Sequence, residues 1–213
     1  MILGDSEIKR MMAEGYFPAY PKLLINPASM NVRIGASFLV PRRKWFGSVA
    51  LGDEVKYKKI VLQKGKAFKL RPGQFALATT IESINLPLHL AAFVQGRSSI
   101  GRAGLTVQNA GFIDPGFHGH ITLELKNETK NTILIRPGYP VAQIVFEQAQ
   151  GVERPYTGKY CGQTEATGSR MHLDKIPRRE FGDPPYCLAA GLLSERIVKN
   201  ILLNILTSKV FLL

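Results

Sequence analysis

The sequence predicts an all-β domain, a sandwich or a distorted barrel, with a short helix before it and an apolar tail after it. Two observations favour this fold class. Between Pro18 and Phe146 the chain contains many short runs rich in β-branched or aromatic residues, which are typical of strands. Pro-Gly pairs lie between these runs, and short strands separated by close turns are typical of sandwiches and barrels.

A short amphipathic helix is predicted at the start of the chain. Ile8 and Met11 recur at the spacing of one helical face. We expect Asp5 or Ser6 to cap its first turn, and Pro18 prevents the helix from continuing.

The next elements are strands joined by tight turns. The predicted strands are Phe75–Thr80, Ala91–Val94, Ile121–Leu125, Thr132–Ile135 and Val141–Phe146. The predicted turns are Arg71-Pro72-Gly73, Asp114-Pro115-Gly116 and Arg136-Pro137-Gly138, because proline presets the first turn position and glycine tolerates the left-handed backbone of the second.

The chain changes character after the last strand. Residues 155–175, called the arm below, are polar and rich in Gly and Thr, which is typical of a flexible segment that orders over a ligand. Residues 176–213 are a charged linker and a strongly apolar stretch. We therefore predict a domain at 1–175 and a helical tail at 176–213. The tail packs on the domain or a neighbouring subunit, or lies on a membrane surface.

Composition excludes several classes of protein. The chain has 213 residues, of which 45% are hydrophobic and 21% charged, a balance that excludes a wholly disordered chain. Cys161 and Cys187 are too few for a disulfide framework, so we expect a reducing compartment, the cytoplasm. The sequence has neither a signal-peptide pattern nor an apolar run long enough to cross a bilayer.

The net charge of +12 favours anionic partners. Ten Lys or Arg lie between Arg42 and Arg71, against only Asp53 and Glu54. This stretch is either a solvated loop and edge strand or a surface for nucleic acid. Because no zinc-finger spacing or long basic helix accompanies it, dedicated nucleic-acid binding is not expected.

The segment Gly96–Arg102, GRSSIGR, has the composition of a phosphate site. Its glycines allow the backbone to approach an anion. Arg97 and Arg102 offer bidentate hydrogen bonds, and Ser98 and Ser99 offer single ones. The alternative interpretation is a polar turn that opens a short helix.

Glu124 lies in a strand whose side chains alternate. Ile121, Leu123 and Leu125 share one face, and Thr122 and Glu124 share the other. If the leucines fill the core, Glu124 faces either solvent or a cleft. Periodicity alone leaves both possibilities open.

These motifs together resemble the dCTP deaminase family of the trimeric dUTPase superfamily. GRSSIGRAGL is followed by QNAGFIDPGFHGHITLEL, and three further stretches agree, MILGDSEI, INPASMNVRIG, and YTGKYCGQ with SRMHLDK. The resemblance covers about residues 1–175. It implies a dUTPase-like distorted β-barrel of the jelly-roll type, a homotrimer with active sites between subunits, and dCTP carried with Mg²⁺ as substrate.

The resemblance also implies roles for individual residues. Glu124 corresponds to the glutamate that activates water for attack on C4 of cytosine. Arg102 and Ser98 correspond to residues that hold this water and the departing amino group, and the backbone of Ala110 helps to orient the water. Asp114 corresponds to the aspartate at the sugar 3′-hydroxyl. The remaining predicted substrate contacts are Arg97 and Ser99 at the triphosphate, Phe117 at the deoxyribose, Thr122 beside Glu124, and Lys159, Tyr160 and Gln163 in the arm.

Two outcomes of the chemistry remain open in the family. Some members only convert dCTP to dUTP, whereas others also hydrolyse dUTP to dUMP and pyrophosphate. QNAGFIDPGF resembles the bifunctional members because Gly111 stands where the purely deaminating enzymes have a bulkier residue. Asp114 then helps to place a water at the α-phosphorus, with Mg²⁺ held by the triphosphate rather than by protein ligands.

Zinc chemistry is not expected. Zinc-dependent deaminases use H-x-E and P-C-x-x-C spacings, which this sequence lacks, so the predicted deamination is zinc-independent.

Some positions depart from the family pattern, and other functions remain open. Asn31 stands where the family has aspartate, and Cys161 interrupts the arm motif. The alternatives are a dUTP diphosphatase in which Glu124 only contacts the base, or a non-catalytic nucleotide-binding regulator. We leave open whether dTTP inhibits.

Overall fold

Strands dominate the chain because stretches of alternating core and surface side chains follow one another with short turns between them. The computed structural model describes residues 1–17, 21, 24–42, 49–108 and 111–174. One compact unit spans Met1–His172, and a second unit begins at Leu173. The described helices are α1 (Asp5–Ala13) and α2 (Ser98–Arg102), and Met171–Leu173 form a 3₁₀ turn.

The strands described by the structure run antiparallel to their neighbours. They are β1 (Ile25–Asn26), β2 (Ser29–Pro41), β3 (Tyr57–Val61), β4 (Phe68–Leu70), β5 (Phe75–Asn85), β6 (Leu90–Gly96), β7 (Leu105–Gln108), β8 (Phe112–Ile113), β9 (His118–Asn127), β10 (Ile133–Ile135) and β11 (Pro140–Gln148).

One large sheet forms most of the domain. Its order is β7-β9-β5-β2-β11-β6-β8, with β1 and β3 also paired to β2, and β4 pairs with β10 in a second sheet. Register shifts interrupt the pairing of β2 with β5, of β5 with β9 and of β2 with β11. Such bulges bend strands, and the sheet curls until Gly96 of β6 lies beside Val107 of β7, whose carbonyl oxygen would be 3.5 Å from a Cβ at Gly96. The predicted all-β, barrel-like fold is confirmed in this half-closed form.

One face of the sheet holds the core. Phe38 of β2 stacks on Phe68 of β4 with ring centroids 4.2 Å apart, and Leu123, Leu125 and Phe146 are fully buried. Each large apolar side chain withdrawn from water in this way contributes about 1.5–3 kcal/mol to the free energy of unfolding. The core therefore fixes which face of each strand points outward.

Helix α1 confirms the predicted amphipathic helix, because Ile8 and Met11 are buried against the core. The predicted cap is wrong. Gly4 occupies the N-cap without a side-chain hydrogen bond, and Asp5 already lies in the first turn, where its carboxylate pairs with Lys9. A carboxylate there still interacts favourably with the positive end of the helix dipole.

The three predicted Pro-Gly turns are confirmed. In each turn a backbone N–H donates to a carbonyl three residues earlier, at 3.0 Å for Gln74 to Arg71, 3.1 Å for Phe117 to Asp114 and 3.3 Å for Tyr139 to Arg136. The glycines have φ of 67°, 84° and 88° at Gly73, Gly116 and Gly138, as the residue after proline requires in such a turn.

The predicted linker and tail, residues 176–213, lie outside the described residues, and so does the proposed boundary at 175. The division at that position therefore stays a prediction. No helix within the described ranges has the length and apolar character that crossing a bilayer requires.

Candidate active site

A cavity of about 420 Å³ opens between the sheet and the arm. This volume lies within the range of pockets that bind small molecules. Its walls are formed by β5 with β9, the start of β3, Val94 of β6, the segment from Gly111 to Phe117, and the arm. The described lining residues are Tyr57, Phe75, Leu77, Val94, Gly111, Phe112, Ile113, Asp114, Phe117, Ile121, Thr122, Glu124, Tyr156, Tyr160, Gln163, Thr167, Gly168 and Ser169.

Strand β9 carries Glu124 into this cavity. Leu123 and Leu125 are fully buried on the core side, so the pleat directs Thr122 and Glu124 to the opposite face. Glu124 lies opposite Leu77 of β5 and Gln108 of β7 in the strand register. The predicted alternation is confirmed, and of the two possibilities left open, solvent or cleft, the structure has the cleft.

The surroundings of Glu124 disfavour its charged form. Burial raises the pKa of the Glu124 carboxyl above its ordinary value, because Phe75 and Leu77 on the neighbouring strand offer the carboxylate no hydrogen bonds and little solvation. A carboxylate of raised pKa is a stronger proton acceptor, which suits it to general-base chemistry.

The Asp114-Pro115-Gly116 turn presents the side chains of Asp114 and Phe117 to the cavity. The turn is tied to the start of the arm, since the N–H of Tyr156 donates to the carbonyl of Pro115 at 2.8 Å. Gly116 is required here, because a Cβ on it would lie 2.7 Å from the Cα of Pro155. The Phe117 and Tyr156 rings pack with centroids 6.1 Å apart.

The arm crosses the start of β9 and brings Tyr160 and Gln163 to the cavity. The N–H of His120 donates to the backbone carbonyl of Gln163 at 2.9 Å, and the Gln163 side-chain amide donates to the His120 carbonyl at 2.7 Å. The Thr122 hydroxyl lies 3.4 Å from the Gln163 side-chain oxygen. These bonds fix one end of the arm to the strand that bears Glu124.

Cys161 of the arm also contacts His118 of β9, whereas the ring of His120 contacts β5. The Cys161 sulfur lies 3.3 Å from Nδ1 of His118, and the ring of His120 lies 3.1 Å from the carbonyl of Thr80. Among the described residues, no group of three or more His, Cys, Asp or Glu side chains is arranged to hold a metal ion.

The GRSSIGR segment contains α2 and does not line the cavity of its own chain. Ser98, Ser99 and Arg102 are exposed, and Arg97 donates to the carbonyl of Pro140 at 2.8 Å. Lys159 is also absent from the lining, and its ammonium lies 5.6 Å from the centroid of the Tyr160 ring. Ala110 lies outside the described residues.

The structure therefore brings together six of the predicted site residues, Asp114, Phe117, Thr122, Glu124, Tyr160 and Gln163. It leaves Arg97, Ser98, Ser99, Arg102 and Lys159 off the cavity of the same chain.

A family model described as "dCTP deaminase-like" matches residues 2–149. The chain belongs to this family. The resemblance inferred from the motifs is confirmed.

Curated relatives in the dCTP deaminase-like family are similar over nearly their full length. The chain is 41% identical over 187 residues to "dCTP deaminase, dUMP-forming" of Sulfurihydrogenibium sp., a match covering 82% of this chain and 99% of that protein. It is 42% identical over 187 residues to the protein of the same name from Methanothermobacter thermautotrophicus, covering 81% of this chain and 95% of that one.

A solved structure has the same fold. The crystal structure of 2′-deoxycytidine 5′-triphosphate deaminase from Agrobacterium tumefaciens superposes with a TM-score of 0.57 at 23% identity. The match covers 70% of this chain and 48% of the Agrobacterium chain. This chain therefore spans about half the length of the Agrobacterium chain.

Several cavity residues were not predicted from the sequence. They are Tyr57, Phe75, Leu77, Val94, Phe112, Ile113, Ile121, Tyr156, Thr167, Gly168 and Ser169. No alternation distinguished Phe75 and Leu77, because Ala76, Leu77 and Ala78 are all buried and apolar. Tyr57 lies in the basic stretch without a motif, and only the path of the arm brings it to the cavity.

Proposed function

We propose that this chain is a zinc-independent dCTP deaminase that also hydrolyses the product dUTP to dUMP and pyrophosphate. The observation that carries the proposal is Glu124, a partly desolvated carboxylate of raised pKa in the wall of a nucleotide-sized cavity. Relatives named "dCTP deaminase, dUMP-forming" support the bifunctional form. So does Gly111, which lines the cavity without a side chain.

The proposed deamination uses Glu124 as the base. Glu124 removes a proton from water as the water oxygen bonds to C4 of cytosine. The proton passes to N3, and proton transfer to the amino group then lets ammonia leave as the C4 carbonyl forms. In the second reaction, Asp114 orients a water that displaces pyrophosphate from the α-phosphorus of dUTP. Mg²⁺ enters with the triphosphate as part of the substrate.

The other cavity residues bind the nucleoside in this proposal. Asp114 accepts the sugar 3′-hydroxyl, and Phe117 packs on the deoxyribose where a 2′-hydroxyl would otherwise lie. Thr122, Tyr160 and Gln163 contact the base from β9 and the arm, and Lys159 joins the triphosphate contacts at the rim.

The triphosphate site is completed by a second copy of the chain in a homotrimer. The described cavity lining contains two carboxylates, Asp114 and Glu124, and no Lys or Arg, whereas a triphosphate needs cationic partners. In this proposal Arg97 and the exposed Arg102 supply the cationic partners from a neighbouring protomer, and the exposed Ser98 and Ser99 of α2 donate hydroxyl hydrogen bonds to the phosphates. Ser98 and Arg102 also hold the attacking water, with the backbone of Ala110.

An apolar surface beside α2 supports such a contact. A depression of about 180 Å³ is lined by α2, β7, β10 and β11, and Leu134 and Tyr139 at its edge are more than half exposed. Contiguous apolar surface of this kind marks protein–protein interfaces. The domain 1–175 forms this trimer in a reducing, cytoplasmic compartment, and dTTP is a candidate inhibitor that occupies the same cavity.

Product analysis tests the proposal. The purified chain is incubated with Mg²⁺ and labelled dCTP, and separately with labelled dUTP, and the products are separated by chromatography. We expect dUMP, pyrophosphate and ammonia from dCTP, and dUMP from dUTP. Conversion of dUTP alone would identify a dUTP diphosphatase. Binding without product would identify a nucleotide-binding regulator.

A further inference from the structure

The start of β3 contacts the arm at the side opposite β9. Tyr57 and Lys59 are two residues apart on this strand, so their side chains share one face. Lys59 forms an ion pair of 2.5 Å with Glu165, and the hydroxyl oxygen of Tyr57 accepts the N–H of Ser169 at 3.3 Å. Strand β3 therefore holds both ends of residues 165–169.

Between these two contacts the arm packs against the sheet. Ala166 is buried in a small cluster with Leu39 of β2 and Leu77 of β5, and Tyr57 and Phe75 pack against that cluster. Strands β2, β3 and β5 thus anchor the arm segment through one ion pair, one buried methyl group and one hydrogen bond.

The ring of Tyr57 determines how closely the arm approaches. A Cβ at Gly168 would lie 2.6 Å from Cε2 and 2.8 Å from Cδ2 of Tyr57. Such distances force the ring or the arm to move, so only glycine allows this approach. Tyr57, Gly168 and Ser169 all line the cavity at this point.

The same segment reaches the strand that carries Glu124. The N–H of Thr167 donates to the hydroxyl of Thr122 at 3.1 Å, and Thr122 lies on the same face of β9 as Glu124. A displacement of residues 167–169 would therefore disturb the cavity wall beside Glu124.

We propose that Tyr57 is a positioning residue for the arm, whose ring and hydroxyl hold residues 167–169 over the cavity beside Thr122 and Glu124. Held in this position, the arm excludes water from the cavity and contacts the nucleotide. When Tyr57 no longer contacts Gly168 and Ser169, the enzyme loses affinity for the nucleotide. The kinetic part of this inference rests on the proposed function, and its structural part does not.

Two variants and one matched control test the inference. Tyr57→Phe removes only the hydroxyl, and Gly168→Ala inserts a methyl group against the ring from the arm side. Tyr16→Phe also removes only a hydroxyl, from a side chain that packs against the core and does not line the cavity. Amide hydrogen exchange of the arm is measured in the full-length protein without ligand, and KM and kcat are measured for dCTP with Mg²⁺.

We expect faster amide hydrogen exchange in residues 162–172 for Tyr57→Phe and Gly168→Ala, and no change for the control. Loss of one hydrogen bond predicts a rise in KM of about twofold to tenfold for Tyr57→Phe, and a larger rise for Gly168→Ala. The value of kcat should change less than KM, whereas general destabilisation would lower kcat by reducing the folded fraction and leave KM unchanged.

Wild-type exchange rates in both variants would overturn the inference, and so would an unchanged KM despite faster exchange. If the wild-type chain converts no dCTP, the proposed function fails. In that case the exchange rates of the ligand-free proteins still decide whether Tyr57 positions the arm.

Discussion

The cavity face of β9 and the α2 segment carry the two halves of the proposed site, and they differ in how completely one chain builds them. Glu124 lies partly buried in the wall of a cavity, with Thr122 and Gln163 hydrogen-bonded beside it. Ser98, Ser99 and Arg102 lie exposed on a helix of five residues. One half is preorganised within the chain. The other half offers phosphate-binding groups and lines no cavity of its own chain, so it needs a second surface to become a site.

The largest expected effect concerns the half of the site that lies in the cavity wall. Glu124→Gln keeps the size of the side chain and removes the base, and general-base catalysis is worth about 10²–10⁴ in rate. We expect deamination of dCTP to fall by at least about 10²-fold with dCTP binding retained. Rates are measured by ammonia release and binding by calorimetry.

The control is Glu147→Gln, which changes a strand glutamate of β11 that does not line the cavity. It should leave the rate unchanged. Full activity in Glu124→Gln would remove Glu124 from the mechanism and, with it, the distinction between the two halves.

Mixing two inactive variants tests whether the halves come from different chains. Glu124→Gln supplies an intact α2, and Arg102→Ala supplies an intact cavity. If each site takes Glu124 from one protomer and Arg102 from a neighbour, random exchange in an equal mixture restores about a quarter of the sites. Activity of the mixture is compared with that of each variant alone after dissociation and reassembly.

No recovery in a mixture whose subunits have exchanged would mean that both halves belong to one chain. The molecular mass measured by light scattering serves as the control for assembly. It should equal three times the chain mass of 23.6 kDa.

The smallest expected effect is a shift with pH. Burial raises the pKa of Glu124 above the ordinary value of 4.5, and a base must be deprotonated to act. The value of kcat/KM is therefore full above the raised pKa and falls as the pH decreases through it. The acidic limb of the pH profile should lie above pH 4.5, and a limb at or below this value would contradict the desolvation of Glu124.

The same shift has a consequence for stability. The folded state disfavours the charged carboxylate, so its desolvation costs stability at pH values above the raised pKa and costs nothing once the group is protonated. Thermal unfolding of Glu124→Gln should give a slightly higher Tm than wild type at neutral pH, and this difference should vanish as the pH falls below 4.5.

The sequence by itself determined the local features of this protein. Alternation in β9 assigned Leu123 and Leu125 to the core and Glu124 to the other face, because side chains on a strand alternate whatever the rest of the fold does. The turn at Asp114-Pro115-Gly116 followed from proline and glycine chemistry, and the motifs identified the family.

Only the tertiary structure decided which distant segments meet. The face of β9 with Glu124 became a cavity wall because the arm crosses it, more than 30 residues later in the chain. Tyr57 joined that cavity because β3 lies where the arm passes, and α2 was left exposed by the same topology. Local rules fix the direction of a side chain relative to its own strand, but the partner of that face depends on long-range packing that no local pattern encodes.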